Sequence, residues 1–221
     1  MVARRVSPTG WRAPKRAMFW LMKIAVYGAS GQVGSRIVAE ATRRGHEVTG
    51  LSRRGGPGLT VGDATDLAAV REIAASHDVV VSALGPSRVP GEDPFAFEGV
   101  VRGLMSAVGG TRLIVVGGAG SLFAAPGVRL VDTPDFPEVY KAESLAGAQA
   151  FDALRSAGPE LDWTCLCPAP EIGPGERTGT YVSGVDEPVG DSITFEDYAV
   201  ALVDEIERPA HKRQRFTVAS S

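Results

Sequence analysis

From Lys23 onward the chain alternates short apolar runs with longer segments whose apolar positions recur every three or four residues. A short, continuous apolar run suits a strand buried on both faces, whereas the longer period marks one buried stripe along a helix. On this pattern strands fall at residues 24–27, 47–51, 59–61, 78–83, 112–116 and 161–166, with a closing strand at 215–218. Helices fall at 32–44, 66–75, 95–108, 138–156 and 195–207; Gly45 ends the first, and Gly109 with Gly110 ends the third. Strands and helices in this alternation predict a parallel sheet flanked by helices. The pattern loosens twice. One loop is marked by Pro126, Pro134 and Pro137, and between Gly173 and Gly190 glycine and proline predict an irregular excursion with a short strand near 180–182.

Composition narrows this to one folded domain. The 221 residues, 44% hydrophobic and 22% charged, suffice for one α/β core, and the C-terminal third is too short for a separate substrate domain. Substrate is therefore expected on top of the sheet. A net charge of -3 supplies no surplus of cations to face phosphate backbones, so no nucleic-acid partner is expected. Charge is uneven, however. Residues 1–21 hold Arg4, Arg5, Arg12, Lys15 and Arg16 and no acid, interrupted by Pro8, Gly10 and Pro14. They read as a disordered basic leader, with Met18 and Met22 as alternative starts and residues 22–221 as the folded domain. The leader lacks the apolar run of an export signal, and no segment is long and apolar enough to span a membrane; a cytoplasmic address is expected. Cys165 and Cys167 stand two apart on one face of a strand, a poor geometry for a disulfide, and without nearby His or Asp partners they indicate no metal site.

The candidate chemistry lies at the first strand–helix junction. Gly28, Gly31 and Gly34 allow a sharp turn, close approach of the backbone to a pyrophosphate, and tight packing of the helix on its strand. The helix that follows points free N–H groups and its positive dipole end at the same place. At the end of the second strand, where an acid would bind the ribose hydroxyls of NAD, the chain has Ser52, Arg53 and Arg54. A guanidinium there attracts the additional phosphate of NADP, which points to NADPH; one of the two arginines is expected to be a solvated loop charge. Asp63 and Ala64, after the third strand, suit an adenine contact, though Asp63 could equally cap the next helix.

With Gly-x-x-Gly-x-x-Gly, Arg53 and Gly62-Asp63 in these places, residues 23–218 resemble the atypical short-chain dehydrogenase/reductases. More narrowly, they resemble the NAD(P)H-binding group that includes NADPH-dependent flavin reductase (biliverdin reductase B) and the NmrA-like proteins. The resemblance implies a single Rossmann-type, doubly wound parallel sheet with flanking helices. It also implies that Ser30, Gly31, Gln32 and Val33 touch the pyrophosphate, Arg53 the 2′-phosphate, and Asp63 and Ala64 the adenine. Ala83, Leu84 and Gly85 would line the nicotinamide ribose. The segment beginning at Pro168 would pack on the nicotinamide, with backbone near Ile172 bonding its carboxamide. A serine follows the fifth strand in the flavin reductases; here Ser121 could hydrogen-bond substrate or carboxamide, or simply cap a loop.

One departure bears on the reaction. Short-chain dehydrogenases pair a Tyr with a Lys one helical turn on, so that the cation eases proton transfer from the phenol. Here Tyr140 is followed directly by Lys141, and the position one turn on holds Ser144. Tyr140 and Ser121 remain the candidate catalytic groups. Arg88 could hold an anionic substrate or be a solvated loop charge. His46, His77 and His211 fall at strand ends away from the expected crevice or on the surface, and suggest neither a base nor a metal cluster. The leading expectation is hydride transfer from NADPH to a flat acceptor such as a flavin or quinone, where solvent can supply the proton. The alternative is a non-catalytic NADP(H)-binding redox sensor of the NmrA-like kind. A nucleotide-sugar epimerase or dehydratase is weaker, because those enzymes pair Tyr with Lys and carry a larger C-terminal lobe.

Overall fold

The computed structural model describes residues 21–221; apart from Leu21, the leader expected over residues 1–21 lies outside the described residues. The chain runs through β1 (Lys23–Tyr27), α1 (Gln32–Arg43), β2 (Glu47–Ser52), β3 (Thr60–Val61), α2 (Leu67–Ser76), β4 (Val79–Ser82), α3 (Ala96–Ala107) and β5 (Arg112–Val116). It continues through β6 (Phe123–Ala125), β7 (Val128–Arg129), α4 (Lys141–Arg155), β8 (Trp163–Cys167), β9 (Glu171–Gly173), β10 (Val182–Gly184), β11 (Ser192–Thr194), α5 (Phe195–Glu207) and β12 (Gln214–Ala219). The main sheet has the order β10-β12-β8-β5-β4-β1-β2-β3. All its pairings are parallel except that of the edge strand β10 with β12.

Burial explains why the central strands read as unbroken apolar runs. Ile24 and Val26 of β1 face a core shared with α1 and α5, while Ala25 and Tyr27 face the opposite core, which α2, α3 and α4 cover. No strand face is left for water, so no polar alternation develops. Each fully buried Ile, Leu or Val contributes about 1.5–3 kcal/mol relative to exposure, and both cores are dominated by such side chains. This is a doubly wound Rossmann-type sheet. From β1 the chain moves outward to β2 and β3, then returns to lay β4 on the other side of β1. The reversal opens a crevice above the C-terminal ends of β1 and β4, where ligands bind in this architecture.

The departures from the sequence reading cluster after β5. The fourth helix begins with a 3₁₀ turn over Glu138–Tyr140; Tyr140 (φ -104°, ψ -1°) leaves the helical range, and the α-helix proper starts at Lys141. The proline-marked loop contains the antiparallel hairpin β6–β7, whose strands are too short for alternation to register. The expected strand near 180–182 is β10, two residues later, and β9 pairs in parallel with the distant β11. Only long-range contact makes those strands.

Candidate functional site

The glycine turn closes over the first crevice strand. Gly28 has φ 81°, a left-handed conformation that favours glycine, and a Cβ there would stand 2.6 Å from the Ala83 carbonyl oxygen. A Cβ on Gly34 would collide with the Gly28 carbonyl. Gly31 N donates to Gly28 O at 2.9 Å, which tightens the turn and starts α1 at Gln32 without a side-chain cap. The first α1 amides are therefore free to bind an anion. Ser30, Gly31 and Gln32 are exposed beside them. A turn that excludes any Cβ and leaves a helix N-terminus uncapped fits a dinucleotide pyrophosphate. At the end of β2, Ser52 Oγ donates to Gly55 O at 2.9 Å and shapes a loop on which Arg53 and Arg54 are both exposed. Asp63 is exposed above the buried Ala64 and accepts from both the amide and the hydroxyl of Thr65, which holds its carboxyl below the usual range. The cap of α2 is Asp66, whose carboxylate accepts from Ala68 N and Ala69 N.

From this turn a cleft of about 1110 Å³ extends along the C-terminal edge of the sheet. Gln32 and Val33 line its near end, Ala83, Leu84 and Gly85 follow β4, and Pro168 to Ile172 follow β8. The structure thus brings seven of the expected cofactor positions into the cleft lining, namely Gln32, Val33, Ala83, Leu84, Gly85, Pro168 and Ile172; Gly28, Ser30, Gly31, Gly34, Arg53, Asp63 and Ala64 lie outside it. The far end is walled by Phe97, Leu130, Phe136, Phe151 and Leu154. Segment 168–175 is held over the crevice through Glu196, which accepts from Gly175 N at 3.0 Å and from Arg36 Nε at 3.1 Å. Arg36 sits one turn beyond Gln32, so the loop is latched to the helix that begins at the glycine turn.

A family profile described as NAD(P)H-binding matches residues 28–209, from the glycine turn to the end of α5. The chain belongs to the NAD(P)H-binding family. Within it, the chain is 40% identical to the uncharacterized protein YwnB of Bacillus subtilis, over 90% of this chain and 99% of that one. A Burkholderia pseudomallei structure provisionally named an exported protein is 43% identical, with a TM-score of 0.80 over 90% of this chain and 99% of its own. A Streptococcus pneumoniae structure provisionally named an NADH-flavin reductase is 34% identical, with a TM-score of 0.82 over 90% of this chain and all of its own. These relatives support the reading of the chain as an atypical short-chain dehydrogenase/reductase of the NmrA-like group.

For an NAD(P)H-binding protein the protic groups around the cleft decide what reaction is open to it. Tyr140 lines the cleft and is 56% exposed, while Lys141 turns to Glu138 at 3.7 Å. Ser144, one turn on, lines the cleft and packs against Gly120. Tyr198 also borders the cleft, but its hydroxyl is buried and donates to Leu166 O at 2.7 Å, and burial pushes its pKa well up. Ser121 is 3% exposed; its hydroxyl donates to Gly118 O at 3.0 Å and meets Cys167 Sγ at 3.6 Å, below the cleft floor. Cys165 forms part of that floor, and its contact with Cys167 together with burial pushes its thiol up. The structure brings Tyr140 to the cleft and does not bring Ser121 there. Arg88 also lines the cleft, held by Glu143 through two hydrogen bonds of 2.8 and 2.6 Å.

Two groups escaped the sequence reading. Arg215, read there only as part of the last strand, is a buried cation that donates to Ser121 O, pairs with Asp186 at 2.6 Å and stacks over Phe151 with its carbon 4.5 Å from the ring centre. It ties the loop after β5, the excursion and a cleft wall together. Asp197, in the first turn of α5, is 1% exposed and accepts from Thr178 Oγ1 and Gly179 N, both at 2.7 Å. An acid in the first helical turn carries no sequence mark that distinguishes a solvated charge from a loop anchor. Among the described residues, no helix is long and apolar enough to cross a membrane, and no group of His, Cys, Asp and Glu could hold a metal ion.

Proposed function

We propose that this chain is an NADPH-dependent reductase whose cleft presents a flat, electron-poor acceptor of the flavin or quinone type to the nicotinamide. The observation that carries the reading is the continuity of the cleft, which joins the first residues of α1 to a chamber walled by Phe97, Phe136 and Phe151. Bound NADPH would supply the hydride. The residues of the chain do the rest: the glycine turn and the uncapped start of α1 take the pyrophosphate, and Arg53 takes the 2′-phosphate. Asp63 and Ala64 flank the adenine. Ala83, Leu84 and Gly85 set the ribose, while Pro168 and the backbone near Ile172 fix the nicotinamide face. The aromatic walls exclude water and offer stacking surfaces to a flat ring.

Acid catalysis is not demanded of such a site. With Ser144 one turn on and Lys141 engaged by Glu138, Tyr140 has no lysine placed to ease its proton transfer, and solvent at the cleft mouth can protonate the reduced acceptor. Ser121 acts on this reading through its loop, holding Gly118 beneath the cleft. The name of the streptococcal relative favours a flavin acceptor. Oxidation of NADPH in the presence of FMN, riboflavin or small quinones tests the proposal. Absence of turnover with all of them, despite tight NADPH binding, overturns it.

The same placement of Tyr140 and Lys141 favours one second reading, a redox sensor without turnover. That protein would distinguish NADPH from NADP+ in affinity and pass the difference to a partner.

A further inference from the structure

The far end of the cleft carries its own record of what it accepts. Its walls are apolar, and the charged residues lining the cleft as a whole are Arg88, Asp135, Glu143 and Glu171, three acids against one base, with Glu171 in the segment after β8. Among the described residues Arg88 is the one lining cation, and its guanidinium is clamped side-on by the Glu143 carboxylate at 2.8 and 2.6 Å. A bidentate pair of this geometry is the kind of exposed ion pair that holds. If it opened, the net charge of the lining would stay negative. The cations on the bordering helices are also paired, Arg36 with Glu196 and Lys141 with Glu138. Around the mouth, Val89, Val139 and Tyr140 are 56%, 82% and 56% exposed. An apolar chamber with an acidic rim repels a phosphate or carboxylate and leaves an uncharged ring system unopposed.

We infer that the acceptor arm of the cleft selects uncharged acceptors and turns anionic ones away, with the Arg88–Glu143 pair withholding the cation an anion would need. The inference rests on the reductase reading for the identity of the arm, and its test separates the two. Riboflavin and FMN share one redox-active ring and differ in a terminal phosphate, so a difference between them that changes with the acids of the lining reports the rim and not the ring chemistry.

The experiment measures flavin binding to the NADP+-loaded protein by fluorescence quenching, alongside NADPH oxidation with each flavin. Riboflavin should bind about tenfold more tightly than FMN at low salt, a gap that narrows as ionic strength rises. Glu143→Gln removes one acid and frees Arg88, and it should narrow the gap by about threefold or more; Glu171→Gln, which leaves the pair intact, should narrow it less. FMN binding as well as riboflavin, binding of neither flavin, or a ratio unmoved by Glu143→Gln overturns the inference. Selective binding of riboflavin, with no NADPH oxidation by either flavin or by small quinones, leaves it standing and removes the reductase reading. Turnover of both flavins with FMN the better substrate does the reverse.

Discussion

The two edges of the main sheet are built by opposite rules. Where the strands begin, charge is buried and paired. Arg112 of β5 meets Glu205 of α5 at 2.6 Å, and Glu205 also meets His211 at 2.8 Å and accepts the amides of Ala210 and His211. Arg44 joins Glu40, Asp204 and Glu207, and Arg177 closes on Glu40 from the excursion. Burial alone would raise the Glu40 carboxyl, but hydrogen bonds from Arg177, Arg43 and Arg44 outweigh it and hold the group far below the usual range. Where the strands end, α1 starts without a side-chain cap, glycines take the place of side chains, and a cleft remains open between apolar walls. Buried charge at the edge where the strands begin is largely taken up in pairing, with Arg112 Nε and Asp162 Oδ1 left without hydrogen-bond partners. Free amides and unfilled volume make an edge that can bind.

The contrast can be broken at either side. The largest effect is expected from Gly34→Ala, whose methyl can be accommodated only by opening the turn: NADPH affinity, measured by titration calorimetry, should fall by about a thousandfold. Next comes Glu205→Gln, which strands Arg112 beside a neutral partner and should cost about 3 kcal/mol, a fall of about 10 °C in Tm, while NADPH affinity stays within about twofold.

The Glu205 effect carries a pH signature. Against its burial, hydrogen bonds led by that of His211 lower the carboxyl from 4.5 to about 2. A group lowered in the folded state contributes stability that is complete above its unfolded value and is lost as pH falls through the folded one. The stability gap between parent and Glu205→Gln should therefore be full above pH 4.5 and shrink towards pH 2. A gap independent of pH would mean that the charge is not what Glu205 contributes.

Smaller changes sharpen the ligand edge. Arg53→Ala should weaken NADPH by about twentyfold and NADH by less than about twofold, since a lost charge-assisted contact is worth about 1.5–3 kcal/mol. Equal losses for both cofactors would return Arg53 to the solvated charges. Tyr140→Phe is expected to change kcat/KM for a flavin by less than about threefold, against the hundredfold or more of a true general acid. A hundredfold loss would restore Tyr140 as the proton donor.

Legibility along the chain followed the range of the contacts involved. The first four strands, the glycine turn and helices α1 to α3 were readable because each depends on residues near in sequence: a buried run, a cap, a turn that tolerates no Cβ. The hairpin β6–β7 was not, because its strands are too short for alternation to register; nor were the β9–β11 pair and the anchoring role of Asp197, whose partners lie far along the chain. Arg88 shows the same limit at the site. A loop arginine after β4 reads as a substrate cation or a solvated charge, and its commitment to Glu143, 55 residues on, is visible only in three dimensions.

What the sequence determined by itself is a parallel sheet flanked by helices and the turn at which a dinucleotide is expected. Apolar period and glycine spacing are local, so both can be read without knowing which distant segments meet. The tertiary structure alone decided the character of the acceptor end. It buried Ser121, turned Lys141 to Glu138, paired Arg88 with Glu143 and set Arg215 beneath Phe151. The Lys141–Glu138 pair is local, but the Arg88–Glu143 and Arg215–Phe151 contacts depend on which loops meet above the sheet, and no local preference of the chain encodes that meeting.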